Sequence, residues 1–364
     1  MTLPLRPELE GLTPYGAPQL DVAAMLNVNE NPYPPPPSVV AAITAAVRQA
    51  AGGLNRYPDR EFMALRADLA RYLALESRVD FLEPKNIWAA NGSNEVMLHL
   101  HQAFAGPGRK VLSFAPTYSM YPEYSRDTVT DYVTLPRRDD FRLDMDVAVA
   151  AIADIKPTIV LVASPNNPTG TALGLDEVIA LADACAKVPG GSVLVVDEAY
   201  AEFRRRGVPS AATLLPEIPH LVVTRTMSKA FALAGGRLGY LAASKEVVDA
   251  LRIVRLPYHL SAITQAAARA ALAHHRELQG QVDEIRAERD DTVDWLRAQG
   301  YTVPDTDANF VLFGPVPDRE EVFEGLLARG VLIRVVGPEG WLRVSIGTAR
   351  EMAMFRNGLL EVTA

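Results

Sequence analysis

From about residue 38 onward the apolar positions follow two different spacings. Over residues 39–51 and 62–75 they recur three and four apart with few breakers, which predicts amphipathic helices. Short apolar runs then follow at 87–90, 111–114, 159–163, 193–196 and 221–223. Runs so short and β-branched, broken by a polar residue only at Ser113, predict strands covered on both faces, as in a parallel sheet. Helical spacing between them, as at 175–187, fits crossover connections. After Leu256 the character changes to long helical stretches over 262–299, followed by short strands near 310–313 and 342–346. Helices set apart from strands predict a smaller α+β unit, with a boundary near residue 255.

The places where the apolar runs stop carry more information than the runs themselves. They end at Asn91-Gly92, at Pro116-Thr117-Tyr118, at Ser164-Pro165-Asn166-Asn167, at Asp197-Glu198, and at Thr226, Ser228 and Lys229. Ligands of open α/β sheets bind beyond the carboxyl ends of the strands, so five polar endings predict one site. Residues 1–37 close on NENPYPPPP, where consecutive prolines forbid a helix. Tyr15, Leu26, Val28 and Tyr33 supply apolar anchors, so this segment is expected to be an ordered arm lying on the smaller unit. The organisation expected is therefore an arm at 1–37, a large domain at 38–255 and a small domain at 256–364.

Composition narrows the function. A net charge of −8 over 364 residues argues against a nucleic-acid partner. No stretch approaches the roughly 18 unbroken apolar residues of a membrane span, and the opening MTLPLRPELE lacks the apolar core of a signal peptide. A cytoplasmic protein without a membrane contact is the expectation. The single cysteine, Cys185, lies in the apolar run LADACA and reads as a buried thiol. His99-x-His101 and His274-His275 lack companion ligands for a metal, and no GxSxG or Walker A element is present.

Most lysines are solvated surface groups. Lys229 differs, because it follows an apolar strand and precedes a glycine-rich turn in TRTMSKAFALAGGRLGY. Burial there lowers the pKa of an amine and makes it available for Schiff-base chemistry. The segment SKAFALAGGRLG resembles the cofactor-lysine segment of fold-type I pyridoxal-phosphate aminotransferases, with a serine before the lysine and an arginine eight residues after it. PNNPTG at 165–170, VDEAY at 196–200, NGSNE at 91–95 and PTY at 116–118 fit the same family in the same order. LTPYG, NVNENPYPPPP, NRYPD, GVLIR and LRVSIGT resemble the histidinol-phosphate branch of that family. Val335 stands where many relatives carry an aspartate, and PYPPPP replaces the commoner PYGPSP.

The resemblance implies a large domain with a mostly parallel seven-stranded sheet between helices, and pyridoxal 5'-phosphate held by Lys229. It places Asp197 on the pyridine nitrogen, Asn167 and Tyr200 on the phenolic oxygen, and Tyr118 against the ring. Ser93, Asn94, Thr226, Ser228 and Arg237 surround the phosphate, and Tyr57 enters the phosphate site of a neighbouring subunit, which implies a homodimer. Tyr15, Asn29, Arg334 and Arg343 are implied for the substrate; which arginine takes a substrate phosphate stays open. Physical need agrees with several of these. A carboxylate raises the pKa of a ring nitrogen, a helix N-terminus with hydroxyls and a guanidinium suits a phosphate, and Arg343 inside an apolar strand needs an anion. Plainer readings exist beside each: Asp197 as a turn cap, Tyr118 as core, NRYPD as a turn, Arg343 in an internal salt bridge. The reaction implied is transamination from an amino donor, histidinol phosphate, to a 2-oxo acid, the 2-oxoglutarate of histidine biosynthesis. An aromatic aminotransferase or a decarboxylase of a phosphorylated amino acid would retain Lys229, Asp197 and Asn167.

Overall fold

A computed structural model describes residues 3–14 and 16–363. The expected strand runs all form strands. In chain order the strands are β1 (Ala24–Met25), β2 (Ile87–Ala90), β3 (Lys110–Ala115), β4 (Asp131–Pro136), β5 (Ile159–Ala163) and β6 (Val193–Asp197). They continue as β7 (Leu221–Thr226), β8 (Gly239–Ala243), β9 (Phe310–Phe313), β10 (Val331–Leu332), β11 (Arg334–Val335) and β12 (Leu342–Ser345). Seven of them make one sheet in the order β2-β8-β7-β6-β5-β3-β4. All neighbours in it are parallel except those of β8, which runs antiparallel to both β2 and β7.

β5 and β7 are buried at every position, so both faces of the sheet must be covered. The helices of this part are α1 (Pro37–Ala51), α2 (Met63–Ser77), α3 (Ser93–Phe104), α4 (Tyr121–Asp127), α5 (Met145–Ile155), α6 (Leu175–Ala186) and α7 (Lys245–Val254), of which α2 to α7 pack against the sheet. α5 packs on α6 and α3 on α7, while α1 and α2 share a neighbour in α8 (Ala262–Ala273). Cys185 on α6 is fully buried, and burial pushes its thiol up to about 12. It is an inert core group.

The helical stretch beyond residue 262 divides at His274, whose backbone (φ −107°, ψ 18°) leaves the helical region and ends α8. The second part is α9 (His275–Ala298). With α10 (Arg319–Ala328) and α11 (Ala349–Thr363) it packs around a three-stranded antiparallel sheet in the order β11-β12-β9. Residues 24–26 lie on this part of the molecule. β1 pairs in parallel with β10, and the amide of Ser345 donates to the carbonyl of Leu26. That docking carries residues 27–30 across to the ends of the large-sheet strands.

Candidate active site

The polar strand endings meet in a single cavity of about 780 Å³. Its walls include Ser93 and Asn94 after β2, Tyr118 after β3, Asn167 after β5, Asp197 and Tyr200 at the end of β6, and Thr226, Ser228 and Lys229 at the end of β7. Asn29 from the arm and Arg334 and Arg343 from the small sheet close the other side. One cavity thus joins residues more than 300 positions apart in sequence.

Lys229 stands apart from the other lysines of the chain. The chain has six lysines; Lys85, Lys110, Lys156, Lys187 and Lys245 are exposed, and Lys229 alone is not. Its Nζ donates to the carbonyl of Val28 at 2.8 Å. Burial first, and then the nearby charges of Arg343 and Arg237, pull its pKa down to about 8. An amine so placed is partly neutral near neutral pH, the state that attacks a carbonyl.

Asp197 is buried at the end of β6. It accepts from Tyr121 Oη and from Thr224 Oγ1, each at 2.9 Å. Burial pushes its carboxyl above the usual range, against the opposing pull of those two donors. Neither donor is among the residues expected at the site from sequence, although a period-2 reading of LVVTRT puts Thr224 and Thr226 on one face of β7. On the same wall Tyr200 Oη accepts from Asn29 Nδ2 at 3.0 Å and from Asn167 Nδ2 at 3.5 Å. Tyr118 stands edge-on to Tyr121, with ring centres 5.6 Å apart. Asn94 Oδ1 receives Tyr124 Oη at 2.9 Å, which fixes the side chain at the first turn of α3.

An anion cradle occupies one end of the cavity. Gly92 (φ 90°) turns the chain from β2 into α3, so the free amides of the first turn open there. A Cβ on Gly92 would come within 2.6 Å of Arg237 Nη2, and one on Gly239 would overlap the Ser93 amide. Both glycines therefore let a guanidinium and a neighbouring strand approach the helix N-terminus. Thr226 Oγ1 donates to Ser228 Oγ at 3.0 Å and accepts from the Ser228 amide at 3.1 Å. Amides, hydroxyls and Arg237 converge as a phosphate requires.

Arg334 and Arg343 face each other across the β11–β12 pair. Arg343 is buried, donates to Asn167 Oδ1 and, at 2.7 Å, to the Asn27 carbonyl, and lies 5.1 Å over the Phe310 ring. Arg334 is half-buried and, among the described residues, pairs with no carboxylate. Tyr57 is not brought to this cavity. It is 80% exposed and stacks on Tyr258 with ring centres 4.4 Å apart. Tyr15 lies outside the described residues.

The model of the aminotransferase class I and II family matches residues 24–359. The chain belongs to that family. Among curated relatives, this aminotransferase is 59% identical over 362 residues to histidinol-phosphate aminotransferase 3 of Burkholderia lata, covering 100% of this chain and 96% of that one. It is 59% identical over 361 residues to histidinol-phosphate aminotransferase of Thermobifida fusca, covering 99% and 96%. Among solved structures, histidinol-phosphate aminotransferase of Sinorhizobium meliloti in complex with pyridoxal-5'-phosphate superposes with a TM-score of 0.86 at 28% identity, over 100% of this chain and 98% of that one. Aspartate aminotransferase of Thermus thermophilus with maleate gives 0.79 at 26%, over 94% and 92%.

Proposed function

We infer that this aminotransferase moves the amino group of L-histidinol phosphate to 2-oxoglutarate, giving imidazole-acetol phosphate and L-glutamate in histidine biosynthesis, with pyridoxal 5'-phosphate as cofactor. The observation that carries the chemistry is the one lysine not exposed to solvent, set between a buried carboxylate and an anion cradle in one cavity. These residues fit the cofactor. Lys229 supplies the amine, Asp197 would hold the proton of the ring nitrogen, and the first turn of α3 with Thr226, Ser228 and Arg237 would hold the phosphate. Asn167 and Tyr200 would donate to the phenolic oxygen, with Tyr118 beside the ring. When bound, the cofactor supplies an aldehyde for the donor's amino group and a ring that accepts the electron pair left at Cα.

The protein's own part is proton movement and positioning. Lys229 takes the proton from the donor's Cα and returns it as acid, a role its lowered pKa suits. Arg334 and Arg343 hold the acidic group of the donor and, in the return reaction, a carboxylate of the 2-oxo acid. Asn29 of the arm lines the same cavity, and a substrate contact by Tyr15 remains part of the proposal. Tyr57, exposed and outside its own cavity, is proposed to complete the phosphate site of a second subunit in a homodimer. The division at residues 37 and 255 and a cytoplasmic location remain part of this proposal; among the described residues no helix is long and apolar enough to cross a membrane.

A single-turnover assay tests the substrate. Cofactor-loaded protein mixed with histidinol phosphate and no 2-oxo acid is expected to release one equivalent of imidazole-acetol phosphate per site. Release of carbon dioxide from a phosphorylated amino acid, or turnover of phenylalanine in preference to histidinol phosphate, would reject this donor.

A further inference from the structure

The cavity holds four basic side chains, Lys229, Arg237, Arg334 and Arg343, but two carboxylates, Asp197 and Glu30. Asp197 is committed to Tyr121 and Thr224. The Glu30 carboxylate sits at the mouth and, among the described residues, takes part in no hydrogen bond or ion pair. Its backbone is nonetheless fixed. Asn29 before it adopts a left-handed conformation (φ 56°), which asparagine tolerates, and its amide donates to Ser345 Oγ at 2.8 Å. Asn309 Nδ2 donates to the carbonyls of Asn29 and Glu30, at 3.0 and 3.4 Å. Two residues earlier, the Val28 carbonyl touches Lys229. A carboxylate on so anchored a stretch lines the same cavity as Lys229 and stands close enough to act on its charge.

An anionic tail is served by the arginines and repelled by Glu30. A ring carrying an N–H donor is what a positioned carboxylate recognises. Resting on the functional reading above, we propose that Glu30 is a specificity-determining residue that accepts a hydrogen bond from the azole N–H of the amino donor. A donor with a ring that has no N–H leaves the carboxylate desolvated without a partner, and is rejected for that reason.

The test uses full-length protein loaded with pyridoxamine phosphate, which binds the donor without turnover. Calorimetric dissociation constants for histidinol phosphate are measured for wild type, Glu30→Gln and Glu30→Ala, alongside cofactor content and melting temperature. Glu30→Ala is expected to weaken binding roughly 10- to 100-fold, the loss of a charge-assisted hydrogen bond, with cofactor content unchanged. Nitrogen-15 NMR of labelled histidinol phosphate gives a readout that a structural role would not move. The imidazole of the bound donor should lose its second proton at lower pH in Glu30→Gln than in wild type, because a neighbouring carboxylate favours the charged ring. Equal affinity and an unchanged imidazole titration in both variants would overturn the assignment. Failure of wild type to bind histidinol phosphate at all would instead overturn the reading of the substrate on which it rests.

Discussion

The reactivity of the site begins with one side chain whose charge costs free energy where it stands. Lys229 titrates near 8 in the folded protein against an ordinary 10.5, chiefly through burial. Below pH 8 it is charged in both folded and unfolded chains, and the folded state carries the full penalty. Between pH 8 and 10.5 the unfolded chain binds more protons, so this group makes stability rise with pH across that window. Lys229→Met should therefore stabilise the cofactor-free protein at pH 7 by at most about 3 kcal/mol, less the lost bond to the Val28 carbonyl. The gain should fade by pH 10.5. Urea unfolding of cofactor-free protein at the two pH values measures it; a variant less stable at pH 7 would show that burial is not what lowers the amine's pKa. Transamination should be abolished in the same variant.

At the scale of elements, β6 and β7 present the site on one face and a buried ion cluster on the other. Successive strand residues point to opposite faces, so Glu198 follows Asp197 and Arg225 precedes Thr226 into the interior behind the cavity. Arg225 is fully buried; burial alone would lower its pKa, but Glu76, Glu198 and Glu202 outweigh that and hold it charged. It contacts Glu198 at 2.7 Å, Glu76 on α2 at 2.9 Å and Glu202 at 3.2 Å. Arg204 adds a second contact to Glu76 at 2.6 Å. Arg225→Met would leave three carboxylates crowded and under-compensated, costing about 3–5 kcal/mol of stability in denaturant titrations. The sequence showed these strands because each is apolar, short and abruptly stopped. It hid β4, an edge strand with alternating polar residues, and β8, built from small residues in GYLAA. Lys229, Asp197 and Asn167 were legible because polar groups at strand ends stand out. Thr224 could be read only from the alternation in LVVTRT, and Tyr121 and Arg225 were not legible, since their partners lie on other elements and no spacing along the chain reveals them.

At the scale of the whole molecule, the arm, the large sheet and the small sheet each supply one wall of the cavity, and Tyr57, exposed and stacked on Tyr258, lines none of them. If a second subunit receives it, two defective chains should repair each other. Mixing and co-refolding Tyr57→Ala with Lys229→Ala chains forms hybrids with one intact site, so activity should return to about a quarter of wild type for closed two-fold pairs. Activity no greater than the sum of the separate variants would show that Tyr57 is not shared. Of the six lysines distributed over this fold, the proposed chemistry falls to the one that is withdrawn from solvent. The most direct measurement is borohydride reduction of the pyridoxal-phosphate-loaded protein, which makes a lysine–cofactor link permanent, followed by peptide mass mapping. The phosphopyridoxyl mass is predicted on the peptide containing Lys229 and on no other; its appearance on Lys85, Lys110, Lys156, Lys187 or Lys245 with Lys229 unmodified would contradict the central role of that amine.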